Sequence, residues 1–94
     1  MKRISSMYEL SNFVYNRANK GEVARFFYCS AYIKKRAGEI ISLISYETEV
    51  LRYDFTRGIC LKISYVRTRT TLYHLRNFFD LVSDIRKYYD FMAL

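Results

Sequence analysis

The spacing of apolar and polar positions changes several times along the chain, and each change marks an element. Ser6-Met7-Tyr8-Glu9 fits a capping box, in which a serine hydroxyl takes the third amide and glutamate reaches back. Leu10, Phe13 and Val14 then share one helical face, and Gly21 follows a polar stretch as a stop. The expectation is a helix from Met7 to Ala18. Residues 22–36 fit two patterns. Val23, Phe26, Phe27 and Ser30 line a helix, whereas Phe27, Cys29, Ala31 and Ile33 alternate with Phe26, Tyr28, Ser30 and Tyr32. The aromatic content favours a strand over the helix.

Residues 40–55 are extended. Ile44, Tyr46, Thr48 and Val50 hold one parity, then Leu51, Tyr53 and Phe55 hold the other. One extra residue, a β-bulge near Val50, reverses the faces in this way. Thr56-Arg57-Gly58 makes a short turn with glycine available for a positive φ. Ile59, Leu61, Ile63 and Tyr65 then alternate with Cys60, Lys62 and Ser64 in the clearest strand of the chain. Past Thr68-Arg69-Thr70-Thr71 the period becomes helical. Leu75, Phe78, Phe79, Val82, Ile85, Tyr89 and Met92 form one stripe, and Thr70 or Thr71 can cap its first turn. The predicted fold is α+β in the order α-β-β-β-α. A small antiparallel sheet of about three strands is flanked by an N-terminal helix and a long C-terminal helix.

Ninety-four residues make a single domain, 1–94. Just over half are apolar, proline is absent and glycine occurs three times, which is the opposite of a disordered composition. Cys29 and Cys60 sit in apolar runs, too few for a secreted disulfide framework, and are expected as small buried hydrophobes. The N-terminus lacks the apolar stretch of a signal peptide, and no apolar run approaches the roughly 20 residues that cross a bilayer. A cytoplasmic protein without a membrane partner is expected. Sixteen Lys and Arg against nine Asp and Glu leave a formal charge of +7. That excess fits either an anionic partner or simple solubility. Ten tyrosines suit half-buried positions or an interface, since the ring is apolar and its tip polar.

Reactive chemistry is sparse. There is no glycine-rich phosphate loop, no C-x-x-C pair and no H-E-x-x-H, and His74 is the single histidine. Cys29, Cys60, His74 and a carboxylate match no common zinc spacing. A Cys–His nucleophile needs an exposed thiol beside the imidazole, an orienting group and an oxyanion hole, and only the residue types are present. No catalytic residue, metal or cofactor is expected. His74 takes the role of a structural hydrogen bond, in a corner with Thr70 and Thr71. The candidate binding groups lie elsewhere. Arg67 and Arg69 precede a helix N-terminus, whose free amides attract anions. Lys34, Lys35 and Arg36, with Arg52, Arg57 and Arg76, extend a basic surface beside Tyr28, Tyr32, Tyr53 and Tyr73. Basic groups interleaved with aromatics suit single-stranded nucleic acid; solvated strand ends are the plain alternative. The expected partner-contacting residues are Lys34, Lys35, Arg36, Arg67, Arg69, Arg76, Tyr32 and Tyr73.

Ser45-Tyr46-Glu47-Thr48-Glu49-Val50 reads S-Y-x-T-x-V, and Thr70-Thr71-Leu72-Tyr73-His74 reads T-T-x-x-H, with Phe78 following. This pattern resembles a group of short phage and mobile-element proteins of unknown function in Gram-positive bacteria. Residues 45–79 carry it, and Val66 stands after Tyr65 where the group usually has serine. The resemblance implies a context: small phage proteins often act stoichiometrically on a host machine, and anti-CRISPR and other counter-defence inhibitors are one such class. The function expected is non-enzymatic inhibition of a host protein or ribonucleoprotein complex by covering a functional surface. The alternative is a nucleic-acid-binding accessory or regulatory protein.

Overall fold

A computed structural model describes residues 2–16, 21–27, 30–64 and 68–93. The elements are β1 (Arg3–Ile4), α1 (Met7–Tyr15), β2 (Val23–Phe26), β3 (Ala31–Lys35), β4 (Ile40–Ser45), β5 (Thr48–Asp54), β6 (Ile59–Ile63), α2 (Arg69–Leu81) and α3 (Ile85–Met92). The strands form one sheet in the order β1-β2-β3-β4-β5-β6. The sheet is mixed: β1 runs parallel to β2 across α1, and every later pair is antiparallel. The expected three-stranded α-β-β-β-α arrangement is therefore wrong. Six strands and three helices are present among the described residues.

Three of the unforeseen breaks have one cause, a non-glycine residue with positive φ. Phe27 (φ 54°) divides residues 22–36 into β2 and β3. Ala24 then pairs with Ile33 and Phe26 with Ala31, so the core positions change from even to odd numbers. Tyr46 (φ 57°) divides residues 40–55 into β4 and β5 through a two-residue loop, with Ser45 paired to Thr48. The core side of β4 is Ile41, Leu43 and Ser45, and not the parity of Ile44. Ser83 (φ 59°) divides the expected long C-terminal helix into α2 and α3. The Asp84 amide donates to the Phe79 carbonyl at 2.7 Å and the Ser83 amide to that of Asp80 at 3.0 Å. This pair of bonds is a Schellman closure, which normally recruits glycine at the position of Ser83. The fourth addition, β1, has only two residues and is held by amides of Arg25 and Phe27 donating to Lys2 and Ile4 carbonyls at 2.8 Å.

The bulge at Val50 is present. Leu43 pairs with Leu51 but Ile44 with Glu49, so Val50 is the extra residue, and it and Leu51 are both buried. A second irregularity lies between β5 and β6: Arg52 pairs with Lys62 and Tyr53 with Cys60, leaving Leu61 extra. The alternation expected for β6 fails there. Leu61 is exposed, while Cys60 and Ile63 pack on the core. At α1 the Glu9 amide donates to Ser6 Oγ at 3.1 Å, and the Glu9 carboxylate accepts from the Ser5 amide, one residue further back than in a standard box. The helix ends at Tyr15, with Asn16 as its cap, before the expected Ala18. Residues 17 and 18 lie outside those described.

One face of the sheet carries the core. Leu10, Phe13 and Val14 of α1 and Leu75, Phe78 and Phe79 of α2 pack with Ile4, Phe26, Ile33, Ile41, Leu43, Leu51 and Tyr53. The fully buried Phe78 ring lies 5.2 Å from Tyr53, 5.9 Å from Phe79 and 6.2 Å from Phe26. Emptying such a position costs about 3–5 kcal/mol. α3 joins the same side, where Lys87 lies over the Tyr53 ring at 5.7 Å and donates to the Gly58 carbonyl. No described helix is long and apolar enough to cross a membrane. No described element covers the opposite face of the sheet, and the site is built there.

Candidate polyanion-binding face

Side chains alternate across a strand, so the register decides which groups share the uncovered face. One row across the strands is Arg3, Arg25, Tyr32, Ile44 and Glu49. The next is Val23, Lys34, Ser42, Arg52 and Lys62. Arg36, just past β3, reaches back onto this face. Its guanidinium donates to Ser42 Oγ and lies 2.9 Å from Glu49 Oε2. Arg52 lies 2.9 Å from Glu49 Oε1, Lys62 lies 3.6 Å from the same oxygen, and the buried Ser42 hydroxyl donates to Oε2.

Glu49 thus sits under three cations drawn from three strands or their ends. Its burial by itself would raise the carboxyl pKa. The Ser42 hydrogen bond and the Arg52 and Arg36 charges outweigh that, and hold it below the ordinary carboxylate value. The carboxylate is ionised at neutral pH, and one negative charge cannot balance three positive ones. Arg36 and Arg52 are each about a third exposed, 37% and 36%, so each ion pair is worth at most about 1 kcal/mol. The cluster matters more for order than for stability, because it fixes where the two guanidinium groups stand. Beside it, the Arg25 guanidinium stands 6.0 Å from the Tyr32 ring centroid, a cation–π distance.

The structure divides the residues expected to contact a partner. Tyr32, Lys34 and Arg36 come together on the open face, joined by Arg52. Lys35 does not. It is 4% exposed, lies on the core side, and its Nζ donates to the Asn16 carbonyl at 3.0 Å. There it satisfies the C-terminus of α1, where a cation also suits the helix dipole. Arg69, Tyr73 and Arg76 follow helical spacing along the exposed side of α2, in the layer behind the sheet. They belong to a different surface. Arg67, like Tyr28 and Cys29, lies outside the described residues.

The corner at the start of α2 is capped by Thr68 rather than by Thr70 or Thr71. The Thr71 amide donates to Thr68 Oγ1 at 3.1 Å, and the Thr68 hydroxyl donates to Thr71 Oγ1 at 2.9 Å. Thr70 is half-buried and Thr71 buried. His74 is 1% exposed and shares a 2.8 Å hydrogen bond with Ser45 Oγ through Nδ1. The first residue of S-Y-x-T-x-V and the last of T-T-x-x-H therefore meet across the β4–α2 contact. Burial lowers the His74 pKa, and burial raises that of the half-exposed Cys60 thiol.

Arg25, Ser42, Glu49 and Lys62 belong to the face without having stood out in the sequence. Their only signal is strand parity, and that becomes legible once the register across β2 to β6 is known. Compared with known proteins, the chain matches no family model, no curated relative and no solved structure.

Proposed function

We propose that this chain is a non-catalytic binding domain whose open sheet face takes single-stranded nucleic acid. The observation that supports the reading is that Arg25, Lys34, Arg36, Arg52 and Lys62, from four strands or their ends, share one open face with Tyr32. Cations track a phosphate backbone, and an exposed ring edge or face offers a base a place to stack. In the phage or mobile-element setting that the motif resemblance implies, such a domain works stoichiometrically against the nucleic acid of a host ribonucleoprotein complex.

Fluorescence anisotropy with a labelled single-stranded oligonucleotide tests the reading. If five cations each release one counterion, log Kobs falls with log salt at a slope of about −3.5, or roughly 100-fold between 50 and 200 mM. Arg25→Ala with Lys34→Ala should lower both affinity and slope while the circular dichroism spectrum is unchanged. Absence of binding to any single strand at low salt overturns the proposal. Nuclease-resistant capture of a host protein, lost with the same double variant, would assign the face to a protein partner instead.

A further inference from the structure

We infer that the β4–β5 loop forms a nucleobase subsite at the edge of the open face, selective for bases with an exocyclic amine. This rests on the nucleic-acid reading of that face and names the element that would recognise a base rather than a phosphate. Ser30, Tyr32, Tyr46, Glu47 and Thr48 line a surface hollow of about 580 Å³. That lies within the range of roughly 300–1,000 Å³ usual for small-molecule sites. Tyr32 is shared between the hollow and the basic rows, so a strand lying across Arg25 and Lys34 is led into it.

Tyr46 is the decisive residue. It is the first of two loop residues and has a φ of 57°, whereas its neighbour Glu47 does not have a positive φ. A positive φ at the first residue of a two-residue hairpin loop is a position that favours glycine. The structural duty of the position is met by its backbone: the Tyr46 amide donates to the Ser30 carbonyl at 2.9 Å. Glycine would make the same bond without strain. The side chain contributes little to packing, being 61% exposed, and its ring meets His74 only at a tilted 6.4 Å. A bulky aromatic kept in a strained, exposed position beside a hollow is the kind of outlier that points to a ligand.

The lining supplies what a base needs. Tyr46 and Tyr32 offer rings for stacking, and the Ser30 and Thr48 hydroxyls serve as donors or acceptors. The Glu47 carboxylate, exposed and without a partner among the described residues, accepts only. An acceptor-only group favours cytosine, adenine or guanine, whose amine offers two hydrogens, over thymine or uracil, whose single N3–H lies between two carbonyl oxygens that repel a carboxylate.

The test uses labelled oligocytidine, oligothymidine and abasic single strands of one length, titrated against the full chain and its Tyr46→Gly, Tyr46→Phe and Glu47→Gln variants. The wild type should bind oligocytidine about tenfold or more above the abasic strand, the worth of stacking one or two bases. Tyr46→Gly should lose that margin while its melting temperature holds or rises, since the turn is relieved. Tyr46→Phe should keep the margin, and Glu47→Gln should bring oligocytidine down towards oligothymidine. Equal binding of abasic and base-bearing strands by the wild type overturns the subsite and leaves the polyanion reading standing. Unchanged selectivity in Tyr46→Gly and Glu47→Gln overturns it as well. Failure of every strand to bind overturns the nucleic-acid reading itself, and the subsite with it.

Discussion

Lys34 and Lys35 are neighbours on β3, and removing one should have the opposite consequence to removing the other. Lys35 is buried and donates from Nζ to the Asn16 carbonyl at the end of α1. Lys35→Ala deletes a hydrogen bond from a charged donor, worth about 1.5–3 kcal/mol. It also empties the space of three stem methylenes at about 0.8 kcal/mol each. Relief from burying an ammonium offsets part of this. The net loss is about 2–4 kcal/mol, and at 4–8 °C per kcal/mol the melting temperature falls by roughly 8–32 °C. Lys35→Met keeps the stem and drops only the donor, so its cost is smaller, about 1–2 kcal/mol. Lys34 faces the open side. Lys34→Ala should change stability by no more than about 0.5 kcal/mol. Its effect is on binding, where one lost phosphate contact reduces the salt slope by about 0.7. Urea unfolding followed by circular dichroism and anisotropy titration at several salt concentrations measure both quantities. A Lys35→Ala protein that unfolds at the wild-type urea midpoint but no longer binds nucleic acid would refute the assignment of faces.

Ser83→Gly should stabilise the chain by about 0.5–1 kcal/mol, because the residue closing α2 no longer carries a Cβ in the left-handed region; an unchanged or lower urea midpoint contradicts this. For His74, burial lowers the folded pKa, so the unfolded imidazole takes up a proton near pH 6.5 while the folded one does not. Stability should hold above about pH 6.5, fall as the pH drops through the window down to the lowered folded value, and level off below it. His74→Gln should remove that component of the pH dependence, and urea midpoints measured across the window that match the wild type would argue against it.

Local chemistry in the chain was enough to place some features. The Ser6 and Glu9 pair starts α1 where expected, because a cap is made by residues three apart and owes little to the rest of the molecule. The bulge at Val50 was legible as a change of parity, and Gly58 marks its turn because glycine advertises a positive φ. The apolar stripe of Leu75, Phe78 and Phe79 announces the buried side of α2. Sequence also determined the basic excess, though not where it lies.

Tertiary structure decided the number of strands and the division of the cations. Phe27, Tyr46 and Ser83 turn the chain with positive φ yet are neither glycine nor asparagine, so nothing local warns of the breaks. The surrounding hydrogen bonds impose these conformations: Phe27 donates to Ile4, Tyr46 to Ser30, and Ser83 to Asp80. Each break resets the parity or direction of the next element, which is why Lys34 reaches the open face while Lys35 closes the end of α1. β1 is too short to show a period and exists only because β2 offers it a partner. The open face itself is a product of pairing. Arg25, Arg36, Glu49 and Lys62 lie far apart in the chain, and only the register of five strands brings their charges together.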